Sequence, residues 1–474
     1  MRNKCFITGL GTLLICTAIY ADTPYNLHVW LKNGESKTYD INQVDSITFK
    51  DSHQTTYKPL NEWTFLPAAP EAIRLSLTDE QKGYVRSGNE FAKKSFYLIC
   101  KDSTLKKQEG YENLFYSPIS LQIALGLCAN GASTQGITEI ANAFGIEGTN
   151  PLESMNDYFN KVILSLNSSV DSVTLKVNNS YWPMVGATVK EPFLTTAREK
   201  YYATVRHLDY AHNKKAAKDT IRRWAALATN NCIQDLDPPI DELTTACIGN
   251  AVYFKGLWAT PFSDYGTSID TFYQASGTPQ LVDMMKSDED FSFMYAQTDD
   301  YQMVVLDYGS WVDDGVGNMR PENDGGTYSM VIVLPAMGKD LDETFNNINW
   351  DSIGMNMKRT AVDLRLPKFD FKNKLGLNEY LKALGIQDIF KGLPNALDIP
   401  EKVSSVTQNS YIKVDENGTE AAAVTLIVDR AVGMHDPVEY TEMKVNRPFG
   451  FVIREMESGM ILFMGKVTKI LDPQ

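Results

Sequence analysis

The chain has 474 residues, 43% hydrophobic, 22% charged and 11% aromatic, with a formal net charge of -14. That composition can fill a large core and excludes global disorder, while so acidic a surface excludes nucleic acids and glycosaminoglycans as expected partners. Beyond the first 21 residues the cysteines are Cys100, Cys128, Cys232 and Cys247, too few over this length to make a disulfide framework.

Residues 1–21 read as an export signal. Arg2 and Lys4 precede the apolar run from Phe6 to Ile19, Ala21 supplies a small residue for cleavage, and charge resumes at Asp22. The run is too short for a stable membrane span, so the expected location is secreted or extracytoplasmic. Lipid anchoring through Cys16 is the alternative, against which Ile15 stands where a small residue is expected. Residues 22–50 form a small β-unit: Leu27 to Leu31 and Ser36 to Ile41 flank the Asn33-Gly34 turn, with Val44 to Phe49 as a third strand. Residues 51–80, carrying Pro59, Pro67 and Pro70, read as a linker, and residues 81–474 as one large domain.

Within that domain Cys100 and Cys128 each end an apolar helical stretch and read as buried core thiols. The segment from Trp311 to Thr327 is rich in Asp, Asn and Gly. Its acidic residues, Asp313, Asp314, Glu322 and Asp324, fit no EF-hand spacing, so it reads as a solvated surface loop. The five histidines, His28, His53, His207, His212 and His435, make no His-Glu-x-x-His pair, and there is no Gly-x-Ser-x-Gly elbow or phosphate-binding glycine loop. No catalytic residue, metal or cofactor is therefore assigned.

Residues 416 to 425, Glu416-Asn417-Gly418-Thr419-Glu420-Ala421-Ala422-Ala423-Val424-Thr425, carry the most information. Composition alone allows an alanine-rich helix here. As a strand, the segment puts Thr419, Ala421, Ala423 and Thr425 on one face, and Glu420, Ala422 and Val424 on the other. The first face has neither charge nor bulk. Three alanines suit a resident strand poorly but suit one that must slide into a close-packed sheet.

The flanking segments decide between the two. Downstream come Asn446-Arg447-Pro448-Phe449, the apolar Phe451-Val452-Ile453 and the run from Gly459 to Val467. Upstream lie Asn113-Leu114-Phe115-Tyr116-Ser117-Pro118-Ile119-Ser120, Asn250-Ala251-Val252-Tyr253-Phe254-Lys255-Gly256-Leu257-Trp258, Tyr328 to Pro335, Leu366-Pro367-Lys368-Phe369 and Leu384-Gly385-Ile386. In this order and spacing, over residues 81 to 471, the chain resembles the serpin family and is read as a bacterial secreted member of it. The resemblance implies an α+β fold: a large central β-sheet, two smaller sheets, surrounding helices and an exposed reactive-centre loop at about residues 416–440.

The resemblance also implies roles. Glu416, Gly418, Thr419, Glu420, Ala421, Ala422 and Ala423 would be the hinge of the loop. Trp258 would mark the breach, where the loop first inserts; Ser117, Ser120 and Asn250 would belong to the shutter beneath the parting strands. Gln408 stands where the family usually has a histidine bridging the shutter serines. Glutamine can donate and accept but cannot charge, so no histidine pH response is expected. Ile221-Arg222-Arg223-Trp224-Ala225 departs from the family's Ile-Asn-x-Trp-Val and weakens one local hydrogen-bonding expectation. Gly450 replaces a large apolar residue, with no functional reading.

The activity implied is suicide-substrate inhibition of serine endopeptidases, with cysteine proteases as a further class; the alternative is a non-inhibitory binding protein that is cleaved as a plain substrate. A monomer is expected. Counting forward from Glu416 at the family's spacing reaches Val432, so Val432-Gly433 is the expected reactive bond, suited to an elastase-like enzyme. Arg430-Ala431 would invite trypsin-like enzymes and Met434-His435 is a third choice, because the stretch from Val432 to Asn446 is longer than in compact family members.

Overall fold

The computed structural model describes residues 26–30, 36–40, 74–103, 105, 113–167, 172–287, 292–309, 311–313, 319–321, 328–400, 403, 405–419 and 440–471. The chain divides into two units, residues 1–64 and 65–474. In the first, β1 (Asn26–Trp30) pairs antiparallel with β2 (Ser36–Asp40).

The second unit opens with α1 (Asp79–Lys101). Thr78 caps it in a reciprocal box with Gln81, and Asp79, Glu80 and Lys101 match the helix dipole at its two ends. β3 (Leu114–Tyr116) runs straight into α2 (Pro118–Ala129), where Ser117 caps and Pro118 supplies a preset first turn. α3 (Thr134–Ala143), α4 (Pro151–Leu166), β4 (Val173–Pro183), α5 (Glu191–Glu199), β5 (Thr204–Val205) and α6 (Lys214–Ala228) follow. β6 (Ala246–Leu257) then pairs antiparallel along the whole of β4.

Next come β7 (Ser268–Tyr273), β8 (Pro279–Lys286), β9 (Ser292–Gln297) and β10 (Tyr301–Asp307). β11 (Trp311–Asp313) and β12 (Met319–Pro321) form a short hairpin before β13 (Tyr328–Pro335). The segment expected as a solvated surface loop thus has backbone pairing between Trp311–Asp313 and Met319–Pro321. α7 (Leu341–Asn347), β14 (Lys358–Pro367), β15 (Phe369–Gly376), α8 (Asn378–Ala383) and β16 (Thr407–Asp415) follow. β17 (Gly418–Thr419), β18 (Thr441–Lys444), β19 (Phe449–Glu455) and β20 (Ile461–Val467) close the chain.

Two sheets dominate. One has six strands in the order β15-β16-β17-β6-β4-β5; the other has ten, β3-β20-β19-β13-β10-β9-β14-β8-β7, with β18 lying parallel on β14. The two smaller sheets expected from sequence are here continuous. β14 joins them because Lys358 to Ala361 pair with β9 while Arg365 to Pro367 pair with β8. α6 lays Ile221 and Trp224 on Trp182 of β4, whereas α2, buried on nearly every side, lies between β6 and β20.

β19 and β20 are buried along their whole lengths, which explains their unbroken apolar runs. Phe463 stacks on Phe115 at 5.1 Å, and Phe369 meets Phe451 at 5.5 Å. Gly450 now has a reason: a β-carbon there would collide with the Phe345 ring of α7. Cys100 and Cys128 are buried, and burial pushes the Cys100 thiol up to about 12.

Candidate functional site: the hinge between two strands

β6 ends at Leu257, and the next residue, Trp258, is buried with its ring stacked on Tyr308 at 4.5 Å. This pair gathers the segment before the loop. The Trp258 indole N–H donates to the Asp415 carbonyl at 3.0 Å, and its backbone N–H to the Asn417 carbonyl at 2.9 Å. The Phe262 N–H donates to the Glu416 carbonyl at 2.9 Å. Three successive carbonyls are thereby satisfied, as buried backbone requires.

The Glu416 carboxylate is buried too. It accepts from the Thr267 hydroxyl at 2.6 Å and from the Lys368 ammonium at 3.0 Å. Burial works against its ionisation, but the hydrogen bonds from Thr267, the backbone and Lys368 outweigh it and hold the carboxyl below its ordinary value. A lowered folded-state pKa stabilises the native state above the ordinary carboxyl range, and that contribution is lost as pH falls through the folded pKa. The melting temperature of wild type should therefore exceed that of Glu416→Gln at pH 7, the gap closing below about pH 4.5. A gap that stays constant with pH would contradict this assignment.

Gly418 and Thr419 are already a strand. Thr419 pairs with Val414 of β16 on one side and Gly256 of β6 on the other, and Gly418 pairs with Asp415 and Leu257. Gly418 has to be glycine because a β-carbon would collide with the Gly256 carbonyl oxygen. The Thr419 side chain points inward, 3% exposed, with its hydroxyl 2.5 Å from that of Tyr308. Burial holds the Tyr308 phenol neutral.

Below Thr419 the described lengths of β16 and β6 are not paired to each other. They border a cleft whose lining includes Ser117, Ser120, Leu121, Asn250, Gln408 and Ser410. Gln408 holds β16 to the start of α2. Its Oε1 accepts from the Ser117 N–H at 2.7 Å and its Nε2 donates to the Ser117 carbonyl at 2.8 Å. It therefore clasps the main chain of one serine rather than bridging two serine side chains; an amide matches a peptide group, donor to acceptor, where imidazole would not. The Ser117 hydroxyl donates to the Leu462 carbonyl at 2.9 Å.

On the opposite bank the Ser120 hydroxyl donates to Asn250 Oδ1. Asn250 Nδ2 donates to Asn179 Oδ1 at 2.6 Å, and Asn179 Nδ2 to the Tyr201 carbonyl at 2.7 Å. α2 is thus tied by separate polar contacts to each strand beside the cleft. Nearby, the buried Trp224 Nε1 has no hydrogen-bond partner among the described residues.

Tyr308, Thr267, Asn179 and Ser410, whose hydroxyl donates to the Phe115 carbonyl at 2.6 Å, were not read from sequence. Their partners lie far along the chain, and nothing local marks them. On the far side of the residues outside the description, Lys444 of β18 pairs with Asp270 at 2.7 Å. Glu420, Ala421, Ala422, Ala423, Arg430, Ala431, Val432, Gly433, Met434 and His435 lie outside the described residues.

The two-residue strand β17, seated between β16 and β6, is a specific arrangement, and the comparisons with known proteins give the chain its family. Residues 92–470 match the model of the Serpin (serine protease inhibitor) family. The chain belongs to the serpins. It is 30% identical over 412 residues to an uncharacterized serpin-like protein of Methanosarcina mazei, covering 82% of this chain and 88% of that one. It is also 30% identical to Iripin-3 of Ixodes ricinus, over 76% of this chain and 89% of the tick protein. Among solved structures, this serpin is similar to the thermophilic serpin tengpin in its native state, with TM-score 0.69, 25% identity, and coverage of 85% of this chain and 97% of that one. Thyroxine-binding globulin in complex with thyroxine shares the fold at TM-score 0.68 and 23% identity, over 82% and 99% of the two chains.

Proposed function

We propose that this serpin is exported and inhibits serine endopeptidases of elastase-like specificity as a suicide substrate, with Val432-Gly433 as the reactive bond. The observation that supports this reading is Thr419, small and uncharged, seated between β16 and β6 at the head of the cleft. Ala421 and Ala423, which share its face, could follow it without meeting the core with charge or bulk.

The protease serine attacks the Val432 carbonyl. The Val432-Gly433 bond breaks, its amine leaves as the new N-terminus at Gly433, and Val432 stays esterified to the enzyme. Water would normally release it. Loop insertion as an added strand is this family's recognised mode. Sixteen extended residues, Asn417 to Val432, span roughly 50 Å at about 3.3 Å each. Once the loop is cut, the ester-linked protease is dragged that far along the sheet, and its catalytic groups lose the roughly 0.5 Å alignment that deacylation requires. The same logic extends to the thioester of a cysteine protease.

Incubation with pancreatic elastase should give an adduct that survives denaturing electrophoresis, and the released C-terminal fragment should begin at Gly433. A fragment beginning at Ala431 from a stable adduct would refute the Val432 assignment. The second reading, a binding protein cleaved without trapping, draws on the use of this fold in thyroxine-binding globulin; it requires cleavage with no adduct.

A further inference from the structure

We propose that Cys100 and Lys466 form a modification site, a buried thiol and amine that dioxygen converts into a covalent nitrogen-oxygen-sulfur bridge stapling α1 to β20. Lys466 stands in the apolar run of β20, a strand buried along its whole length, and a lysine is held at such a position only when it is paired. Its ammonium pairs with the Asp342 carboxylate of α7 at 2.8 Å, the two side chains being 10% and 9% exposed. The third member is the Cys100 thiol, in the last turn of α1, the helix that packs against both α7 and β20. Cys100 is buried; its sulfur accepts from the Lys466 ammonium and its S–H donates to Asp342. Three chemically active groups from distant stretches of chain thus meet in the core, and neither the hinge nor the cleft uses them.

The contacts define the chemistry. An ammonium has no lone pair with which to bond, but Asp342 can take its proton and leave a neutral amine against the sulfur. Burial keeps the thiol un-ionised, away from the oxidation that thiolates undergo in solution, whereas dioxygen is small and apolar enough to enter the core. One of its oxygen atoms is inserted between nitrogen and sulfur. The amine and the thiol each give up one hydrogen, and these leave with the other oxygen atom as water. Nitrogen and sulfur are each oxidised by two electrons, dioxygen takes up all four, and Asp342 keeps the proton it accepted. A direct sulfur-nitrogen bond would force the close-packed core to contract, while an intervening oxygen spans nearly the separation that the hydrogen bond already holds.

The test is mass spectrometry of the whole chain, purified under dithiothreitol and then held in oxygen-saturated buffer. Wild type should gain about 14 Da, one oxygen in and two hydrogens out, and proteolysis should release a linked peptide joining Cys100 to Lys466. The bridge closes a loop of most of the domain, so the linked protein should melt about 5 °C higher, and dithiothreitol should reverse both changes. Lys466→Arg, which keeps a cation beside Asp342, and Cys100→Ser should show neither. A wild-type mass unchanged under oxygen would overturn the proposal. So would a gain of about 16 or 32 Da on Cys100 with no linked peptide, which is oxidation of the thiol alone. A linked peptide that has lost two hydrogens and gained no oxygen would overturn the oxygen bridge in favour of a direct sulfur-nitrogen bond. Should Lys466→Arg not fold, Cys100→Ser, a change between small side chains, carries the same expectation.

Discussion

Thr419→Arg should turn the inhibitor into a substrate. Thr419 sits buried between two strands with its hydroxyl on Tyr308, and a guanidinium there would have to be buried where a small hydroxyl now fits. An unpaired buried charge costs several kcal/mol, a penalty the inserted state cannot escape, while the uncleaved loop escapes it by withdrawing Gly418 and Thr419 from the sheet. Each 1.4 kcal/mol is tenfold in the partition between trapping and release. The stable-adduct fraction with elastase should therefore fall more than about tenfold while the rate of loop cleavage holds. Unchanged inhibition stoichiometry would show that Thr419 does not face the core in the trapped complex.

Cleavage of the loop in residues 426–435 should raise the melting temperature steeply. About ten added ladder bonds at roughly 1 kcal/mol each give about 10 kcal/mol, before any burial of Ala421 and Ala423. With an unfolding entropy of about 2.1 cal/mol/K per residue, that moves the transition of a domain this size by roughly 10 °C or more. Thr419→Arg, cleaved in the same way, should show a much smaller rise. A cleaved wild type that melts no higher than the intact protein would remove the stored energy from the account.

The range of each interaction separates the features legible in the sequence from those it hid. The strand-like hinge is local: alternation in Thr419, Ala421 and Ala423 is visible in a ten-residue window, and the motif order of the family extended it to the whole fold. The reason Gly418 has no side chain is its contact with Gly256, far upstream, so the motif was readable but its cause was not. Gln408 was recognisable as a neutral substitute for a histidine, yet its two bonds go to the Ser117 main chain, which no side-chain reading discloses. The reason for Gly450 lies in the Phe345 ring packed against it, about a hundred residues upstream. The continuous ten-stranded sheet depends on β14 splitting its pairing between β9 and β8, a matter of register that composition does not encode.

Hydrogen exchange before and after loop cleavage tests the insertion itself. In the cleaved protein, amides of residues 420–430 should become protected to the level of the β4–β6 pairing, and those of β16 and β6 that border the cleft should slow by orders of magnitude, because a new strand occupies both edges. If residues 420–430 exchange after cleavage as fast as an unstructured peptide, with β16 and β6 unchanged, the loop does not enter the sheet and the trapping mechanism is wrong for this protein.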